Sequence, residues 1–110
     1  MIFDRYDVAV VPFPFHEIPV RKRRPCLILS GRDFNQRNRW TVMAMITTAR
    51  QTNWPSDVMI ADLEAAGLMH PCVIRWRLQT MPNESLVRQI GRLEGVDRRA
   101  CERQLAGILL

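Results

Sequence analysis

The chain has few of the residues on which several functional classes depend. It contains three cysteines and two histidines among 110 residues. Cys26, Cys72 and Cys101 are odd in number and widely spaced, so neither a disulfide framework nor a cysteine-based metal motif fits them. His16 and His70 lie far apart in the sequence, and no clustered ligand set accompanies them. We therefore expect the cysteines to be small apolar packing residues and the protein to need no metal or cofactor.

Long apolar runs are also missing. No segment approaches the roughly 18 consecutive apolar residues that span a bilayer. The first residues, Met1 to Arg5, lack the order of basic, apolar and small residues that marks a signal peptide. We also find no internal repeat, low-complexity stretch or linker. The sequence therefore predicts a cytoplasmic protein without a membrane partner, built as a single domain over residues 1–110.

Positive charge is the feature that the chain has in excess. Sixteen lysines and arginines face eleven acidic residues, which gives a net charge of +5. A basic balance on a small body favours an anionic partner such as nucleic acid, an anionic membrane or an acidic protein. The densest run, Arg21 to Arg24, stops at Pro25 and is followed at once by the apolar run Cys26 to Ser30. Such a cluster is suited to a phosphate backbone, although charge runs are also common as solvated surface.

The hydrophobic pattern predicts short strands followed by one helix. Apolar spacings of one, three and four over residues 96–109 predict an amphipathic C-terminal helix. A brief helix over 61–66 should be stopped by Gly67. The predicted strands cover 7–15, 26–30, 40–46, 57–60, 72–76 and 78–81, with loops at 16–23 and 47–55 and an ambiguous stretch at 87–93. The fold class is therefore mainly β with a C-terminal helix, as a small curved barrel.

Several of these pieces together resemble a known family. The basic loop running into Arg23-Arg24-Pro25, the strand ending in Met45-Ile46-Thr47, and Ile90-Gly91-Arg92-Leu93 before the final helix are similar to the MazF/PemK toxins of bacterial type II toxin–antitoxin systems. The resemblance implies an SH3-like barrel of the CcdB type that forms a homodimer. It also implies a metal-independent endoribonuclease that cuts single-stranded RNA, chiefly mRNA, inhibits growth and is neutralised by a cognate antitoxin.

The resemblance also implies two catalytic residues, Arg24 and Thr47. The arginine of the family's Arg-Pro pair is catalytic, and a guanidinium offers phosphate a permanently charged planar fork. A catalytic threonine follows the third strand, and Thr47 matches it better than Thr48. The alternatives are a surface arginine that aids solubility and a strand-end threonine that hydrogen-bonds its own backbone.

A second set of residues is predicted to bind RNA. If residues 75–77 form a strand, Arg75 and Arg77 share one face and Trp76 points to the other, so the two arginines either grip phosphate or form a solvated face. Trp54 either stacks on an unpaired base or packs under its own loop. The full set of predicted RNA-binding residues is Arg21, Arg23, Thr48, Trp54, Arg75 and Arg77.

The family match does not assign the residue that transfers protons during cleavage. Some members carry an acidic residue shortly after the arginine of this strand, but Arg77 stands there. His16 and Glu17, in the loop before the basic run, are the candidate acid or base, with an exposed histidine of no role as the alternative for His16.

Two other functions stay open from the sequence. One is a CcdB-like DNA gyrase poison, although the C-terminal segment Ala106 to Leu110 lacks the tryptophan-containing tail of that group. The other is a catalytically impaired barrel that binds RNA without cutting it.

Overall fold

The computed structural model describes residues 1–13, 22–50 and 54–110. Within them the chain forms a mainly β structure with a long C-terminal helix. The elements in chain order are β1 Asp7–Phe13, β2 Lys22–Ile28, α1 Arg32–Asn38, β3 Trp40–Thr48, β4 Val58–Met59, α2 Leu63–Ala66, β5 Cys72–Pro82, a 3-10 turn Asn83–Ser85, β6 Arg88–Arg92 and α3 Gly95–Leu109.

The described strands form one antiparallel sheet in the order β4-β5-β3-β2-β1-β6. The sheet curls into a half-barrel, and α3 follows it in sequence. The expected fold class, mainly β with a C-terminal helix, is confirmed. Within the described ranges no helix is both long and apolar enough to cross a membrane.

Alternation along the strands gives the sheet two buried faces. On the helix face, Val8, Leu27, Ile46 and Ile74 pack with Cys101 of α3. On the other face, Ala9, Cys26, Ile28 and Met43 pack against Phe3, which precedes β1. We call this second surface the N-terminal face. Because successive strand residues point to opposite sides, β1, β2, β3 and β5 each contribute to both faces.

The second strand begins earlier than the sequence predicted. It starts at Lys22 rather than Cys26, so Arg24 and Pro25 lie inside it. The strand tolerates Pro25 because its backbone nitrogen faces the β3 side of β2, where no described hydrogen bond is made at this position. The Leu29 N–H donates to Val42 O of β3, and alternation turns the nitrogen of Pro25 towards β3 as well. The β2–β3 pairing covers only Cys26–Ile28, so the missing N–H of proline leaves no described ladder bond unmade.

The fifth strand is continuous where two strands were predicted. Ala44 pairs with Leu78 but its neighbour Met45 pairs with Arg75, so the register slips at a bulge in β5. Residues 76 and 77 occupy that bulge. The third strand also runs further than expected, to Thr48, and residues 88–92 resolve as a strand.

Two buried acidic side chains join segments that lie far apart in the chain. Asp97, in the first turn of α3, accepts the N–H groups of Ala61 (2.8 Å) and Asp62 (2.9 Å) just before α2. Asp7 of β1 pairs with Arg92 of β6 at 2.9 Å. Asp97 accepts backbone hydrogen bonds and Asp7 forms an ion pair, so both carboxylates stabilise the fold.

Candidate active site at one end of the sheet

Arg24 lies where two pairs of strands separate. It is paired with Val11 of β1, and it stands two residues beyond Cys26, where the described pairing between β2 and β3 ends. Beyond that point β2 is paired with β1, while β3 stays paired with β5 as far as Thr48. The two strand pairs therefore flank a gap in the described β2–β3 ladder, and we call this gap the opening.

Thr47 lies on the other side of this opening. It is the next-to-last residue of β3 and pairs with Val73 of β5. Continuing the β2–β3 register by two residues sets Thr47 opposite Arg24, since Cys26 pairs with Met45. Both side chains then belong to the N-terminal face, and both residues are half-buried. The structure thus brings the two predicted catalytic residues to one face at adjoining strand ends.

Thr48 has a different environment. As the next residue along the strand it points away from the N-terminal face, and it is exposed. Its hydroxyl accepts a hydrogen bond from Arg50 Nε at 3.1 Å. The sequence analysis did not single out Arg50, which adds a further exposed cation beside this end of the sheet.

Arg75 joins the same face through its strand register. It pairs with Met45, two residues from Thr47, so its side chain is a diagonal neighbour of Thr47. Its guanidinium donates twice to Asp57, from Nε to Oδ1 at 3.2 Å and from Nη2 to Oδ2 at 2.8 Å. The Asp57 side chain is 6% exposed and that of Arg75 is 19% exposed. The hydrogen bond to Asp57 raises the pKa of Arg75, so the guanidinium stays charged.

Asp57 also closes a turn that carries Trp54. The Trp54 N–H donates to Asp57 Oδ2 at 3.0 Å, and the Asp57 N–H donates to Trp54 O at 3.0 Å. Trp76, buried on the helix face, donates its indole N–H to Ser56 O at 2.8 Å. The Arg75 guanidinium carbon lies 5.8 Å from the centroid of the Trp54 ring, within cation–π range. As a residue, Trp54 is nevertheless 43% exposed.

Sequence reasoning missed Asp57 as a site residue. It placed Asp57 at the start of a short strand, whereas the residue precedes β4 and binds an arginine 18 positions later. The motif Trp54-Pro55-Ser56-Asp57 could have signalled a turn closed by an aspartate side chain. Nothing in the local sequence could have signalled the contact with Arg75, because only the β4–β5 pairing brings the two together.

Two further predicted cations are exposed. Arg23 precedes Arg24 on β2, and Arg77 lies in the bulge of β5, beside the buried Trp76. The remaining predicted site residues, His16, Glu17 and Arg21, lie outside the described residues.

Cysteine chemistry does not fit this end of the molecule. All three thiols are buried. Burial raises the pKa of Cys26 and of Cys101 to about 12, and it raises the pKa of Cys72 as well. Thiols in such surroundings are poor nucleophiles. Over residues 1–13, 22–50 and 54–110, no three histidine, cysteine or acidic side chains are grouped as a metal site would require.

A separate apolar groove lies on the helix face. It has a volume of about 420 Å³ and is lined by residues that precede β1, that follow β2, and that belong to β3, β5 and α3, among them Leu29, Val42, Leu78 and Leu105. These side chains belong to or pack against the helix-face core, so the groove is on the opposite side of the sheet from Arg24. The candidate site around Arg24 therefore does not include this groove, and its polar side chains define it.

The class of protein follows from a family comparison. Residues 4–109 match the model of the PemK-like, MazF-like toxins of type II toxin–antitoxin systems. The chain therefore belongs to this toxin family, as the resemblance in its sequence indicated. None of the curated proteins compared with the chain matches it significantly.

Solved structures of similar fold carry the same family names. The Mycobacterium tuberculosis toxin MazF-mt6 is 24% identical, with a TM-score of 0.72 over 92% of this chain and 93% of that one. The MazF of a MazE–MazF complex from Deinococcus radiodurans is 16% identical, with a TM-score of 0.78 over 99% and 97%. An endoribonuclease from Mycobacterial species, solved with its cognate antitoxin, is 20% identical, with a TM-score of 0.74 over 96% and 93%. At these identities the likeness is one of fold.

Proposed function

We propose that this toxin is a metal-independent endoribonuclease that cuts single-stranded RNA, chiefly mRNA, in the cytoplasm. One observation carries the proposal. Arg24 and Thr47 stand on the same face of the sheet, at the ends of neighbouring strands that are no longer paired with each other. An extended chain laid across this opening would expose a phosphodiester to both side chains.

RNA supplies its own nucleophile for this reaction. The 2′-oxygen attacks the adjacent phosphorus, the P–O5′ bond breaks, and the products are a 2′,3′-cyclic phosphate and a 5′-hydroxyl. One proton leaves the 2′-hydroxyl and one reaches the departing 5′-oxygen. The protein's task is to stabilise the charge on the pentavalent phosphorus and to assist the two proton transfers.

Arg24 is assigned to the charge on phosphorus. Its guanidinium is ionised at every working pH and can donate two parallel hydrogen bonds to phosphate oxygens. The half-buried position favours this role, because a donor that is partly shielded from water interacts more strongly with developing charge. Thr47 is assigned to a non-bridging oxygen or to the 2′-oxygen, to which its hydroxyl can donate.

The remaining groups are assigned to binding and proton transfer. Arg21, Arg23 and Arg77 attract the phosphate backbone, and Thr48, Trp54 and Arg75 complete the RNA-binding surface. His16 or Glu17 acts as the acid or base. We also infer that the toxin forms a homodimer, as the family resemblance implies, and that a cognate antitoxin neutralises it, by analogy with the complexes of the structural relatives.

The test is RNA cleavage by the purified protein in the presence of EDTA. The parent should yield fragments with a 2′,3′-cyclic phosphate and a 5′-hydroxyl, which polynucleotide kinase labels directly. Arg24→Ala and Thr47→Ala should each cut at least about 100-fold more slowly, as expected when one transition-state hydrogen bond is lost. Their circular dichroism and unfolding midpoints should stay close to those of the parent.

Matched controls come from the far end of the molecule. Thr80→Ala changes an exposed threonine of β5 that pairs with Val42, and Arg37→Ala changes an exposed arginine of α1. Both should cut at the parent's rate. Unchanged cleavage by Arg24→Ala and Thr47→Ala would disprove the site assignment. RNA binding without cleavage by the parent would favour the impaired RNA-binding barrel, and inhibition of supercoiling would favour the gyrase poison.

A further inference from the structure

The turn 54–57 is held unusually firmly for a segment that presents a large exposed side chain. Asp57 closes it through the Trp54 N–H, and Trp76 anchors Ser56 to the core. Arg75 ties it to β5 through two hydrogen bonds with Asp57. A tryptophan that merely covered its own loop would be expected to bury its surface, yet the residue Trp54 is 43% exposed.

The charge of Arg75 is largely compensated within this cluster. Asp57 Oδ2 lies 2.8 Å from Arg75 Nη2, and both side chains are mostly buried. An ion pair of this kind presents little net positive potential to a distant phosphate, unlike the exposed Arg23 and Arg77. What the guanidinium does offer is its contact with the Trp54 ring, 5.8 Å from the centroid.

We propose that Asp57 and Arg75 hold the Trp54 indole as a stacking platform for one unpaired base of the RNA, next to the phosphate that is cut. Trp54 contacts the base, and Asp57 is a positioning residue that acts through Trp54 and Arg75. Aromatic faces bind unpaired bases by stacking, and a platform fixed before binding loses less conformational freedom on binding. The inference rests on the proposed function for its substrate, single-stranded RNA.

The platform is tied to the cleavage site by strand register. Arg75 pairs with Met45, and Thr47 is two residues further along β3. Side chains in that relation are diagonal neighbours on one face. A base stacked on Trp54 would therefore belong to a nucleotide close to the scissile bond, so the platform would help to choose where the RNA is cut.

The binding test uses an oligonucleotide that cannot be cut. A fluorescent 2′-O-methyl RNA lacks the nucleophile, so affinity can be measured by anisotropy without turnover. Trp54→Ala should weaken binding about 5- to 150-fold, the range that loss of one base–aromatic stack produces, and Trp54→Phe should restore most of the affinity. Trp40→Ala is the matched control, because Trp40 is 46% exposed at the opposite end of β3. It should bind as the parent does.

A scan with abasic nucleotides identifies the stacked base. At one position, removing the base should weaken binding to the parent but have no further effect in Trp54→Ala. Such non-additivity is the signature of a direct contact. If each abasic nucleotide lowered the affinity of Trp54→Ala as much as that of the parent, the stacking proposal would be overturned. Unchanged binding by Trp54→Ala would overturn it as well.

Asp57→Asn tests the positioning role. The asparagine oxygen can still accept the Trp54 N–H, but the charged pair with Arg75 is lost. Because asparagine carries no charge to offset that of Arg75, the slope of log affinity against log salt concentration should steepen by up to about 0.7. The loss of affinity caused by the abasic nucleotide, which measures the stacked base, should be up to about 10-fold smaller than in the parent, in the range for loss of a charge-assisted hydrogen bond. An Asp57→Asn variant that keeps the full abasic loss of the parent would remove Asp57 from the proposal.

The outcome is separable from that of the proposed function. If the parent binds RNA with a Trp54-dependent base but never cuts it, the nuclease assignment fails and the platform stands. If the parent cuts RNA while Trp54→Ala binds and cuts as well as the parent, the platform fails and the nuclease stands.

Discussion

At the scale of single residues, two buried thiols have a consequence for stability at high pH. Cys26 lies two positions from Arg24 on the N-terminal face, and Cys101 belongs to α3 and packs in the core of the helix face. Burial raises the pKa of each thiol from 9.0 to about 12. Between these values the unfolded chain has released protons that the folded chain still holds. The free energy of unfolding must therefore fall as pH rises through this window.

We expect each of these thiols to lower the free energy of unfolding by up to about 1.4 kcal/mol per pH unit above pH 9. Urea unfolding followed by circular dichroism at pH 8, 9.5 and 10.5 measures the slope. Cys101→Ala should be less stable at pH 8, because a buried atom is lost, but its stability should fall less steeply with pH. A slope equal to that of the parent would mean that the Cys101 thiol ionises as readily in the folded protein as in the unfolded chain.

At the scale of elements, the end of α2 packs directly on β6 through two glycines. Gly67 ends α2 with φ of 75°, in the left-handed region, as the sequence predicted for a helix stop. A Cβ on Gly91 of β6 would lie 2.3 Å from the carbonyl carbon of Ala66, and one on Gly67 would lie 1.9 Å from Ile90 O. The Ile90-Gly91-Arg92-Leu93 motif, which supported the family resemblance, thus meets the helix stop Gly67 at one close backbone contact.

Gly91→Ala should therefore destabilise the protein by about 3 kcal/mol, the upper end for an overpacked position, because the clashing atoms belong to backbone. Gly107→Ala provides the matched control: a Cβ there meets nothing within 4 Å. Since Gly107 lies within α3, its replacement should stabilise by up to about 1 kcal/mol. Urea midpoints of the two variants measure the contrast, and equal midpoints would contradict the packing described for α2 and β6.

At the scale of the whole molecule, RNA binding by a chain of net charge +5 should weaken with salt according to how many of its cations contact phosphate. Each phosphate neutralised on a single strand contributes about 0.7 to the slope of log affinity against log salt concentration. Arg23 and Arg77 are exposed near the candidate site, whereas the charge of Arg75 is compensated by Asp57.

Arg23→Gln should lower the slope by about 0.7 and weaken binding to all sequences alike, because a phosphate contact reads no base. The slope is measured from affinities for the 2′-O-methyl RNA between 50 and 300 mM salt. Arg37→Gln on α1 is the control and should leave the slope unchanged. A slope that stays at the parent's value in Arg23→Gln would remove Arg23 from the RNA-binding surface.

Most elements could be predicted because their signals are local. The spacing of apolar residues gave α3 to within one residue at its start, and Gly67 gave the end of α2. The early start of β2 was missed, since charge and Pro25 suggested a loop. That segment is a strand because β1 pairs with it and because no described ladder bond to β3 is needed there.

By itself the sequence determined the fold class, the family and the residues worth testing, since hydrophobic spacing, glycine stops and short motifs are written in neighbouring positions. Tertiary structure alone decided which of those residues share a surface. The registers of β2, β3 and β5 set Arg24, Thr47 and Arg75 on one face, and the β4–β5 pairing brought Asp57 to Arg75. Such neighbours are far apart in the chain, and only strand pairing fixes their distance in space.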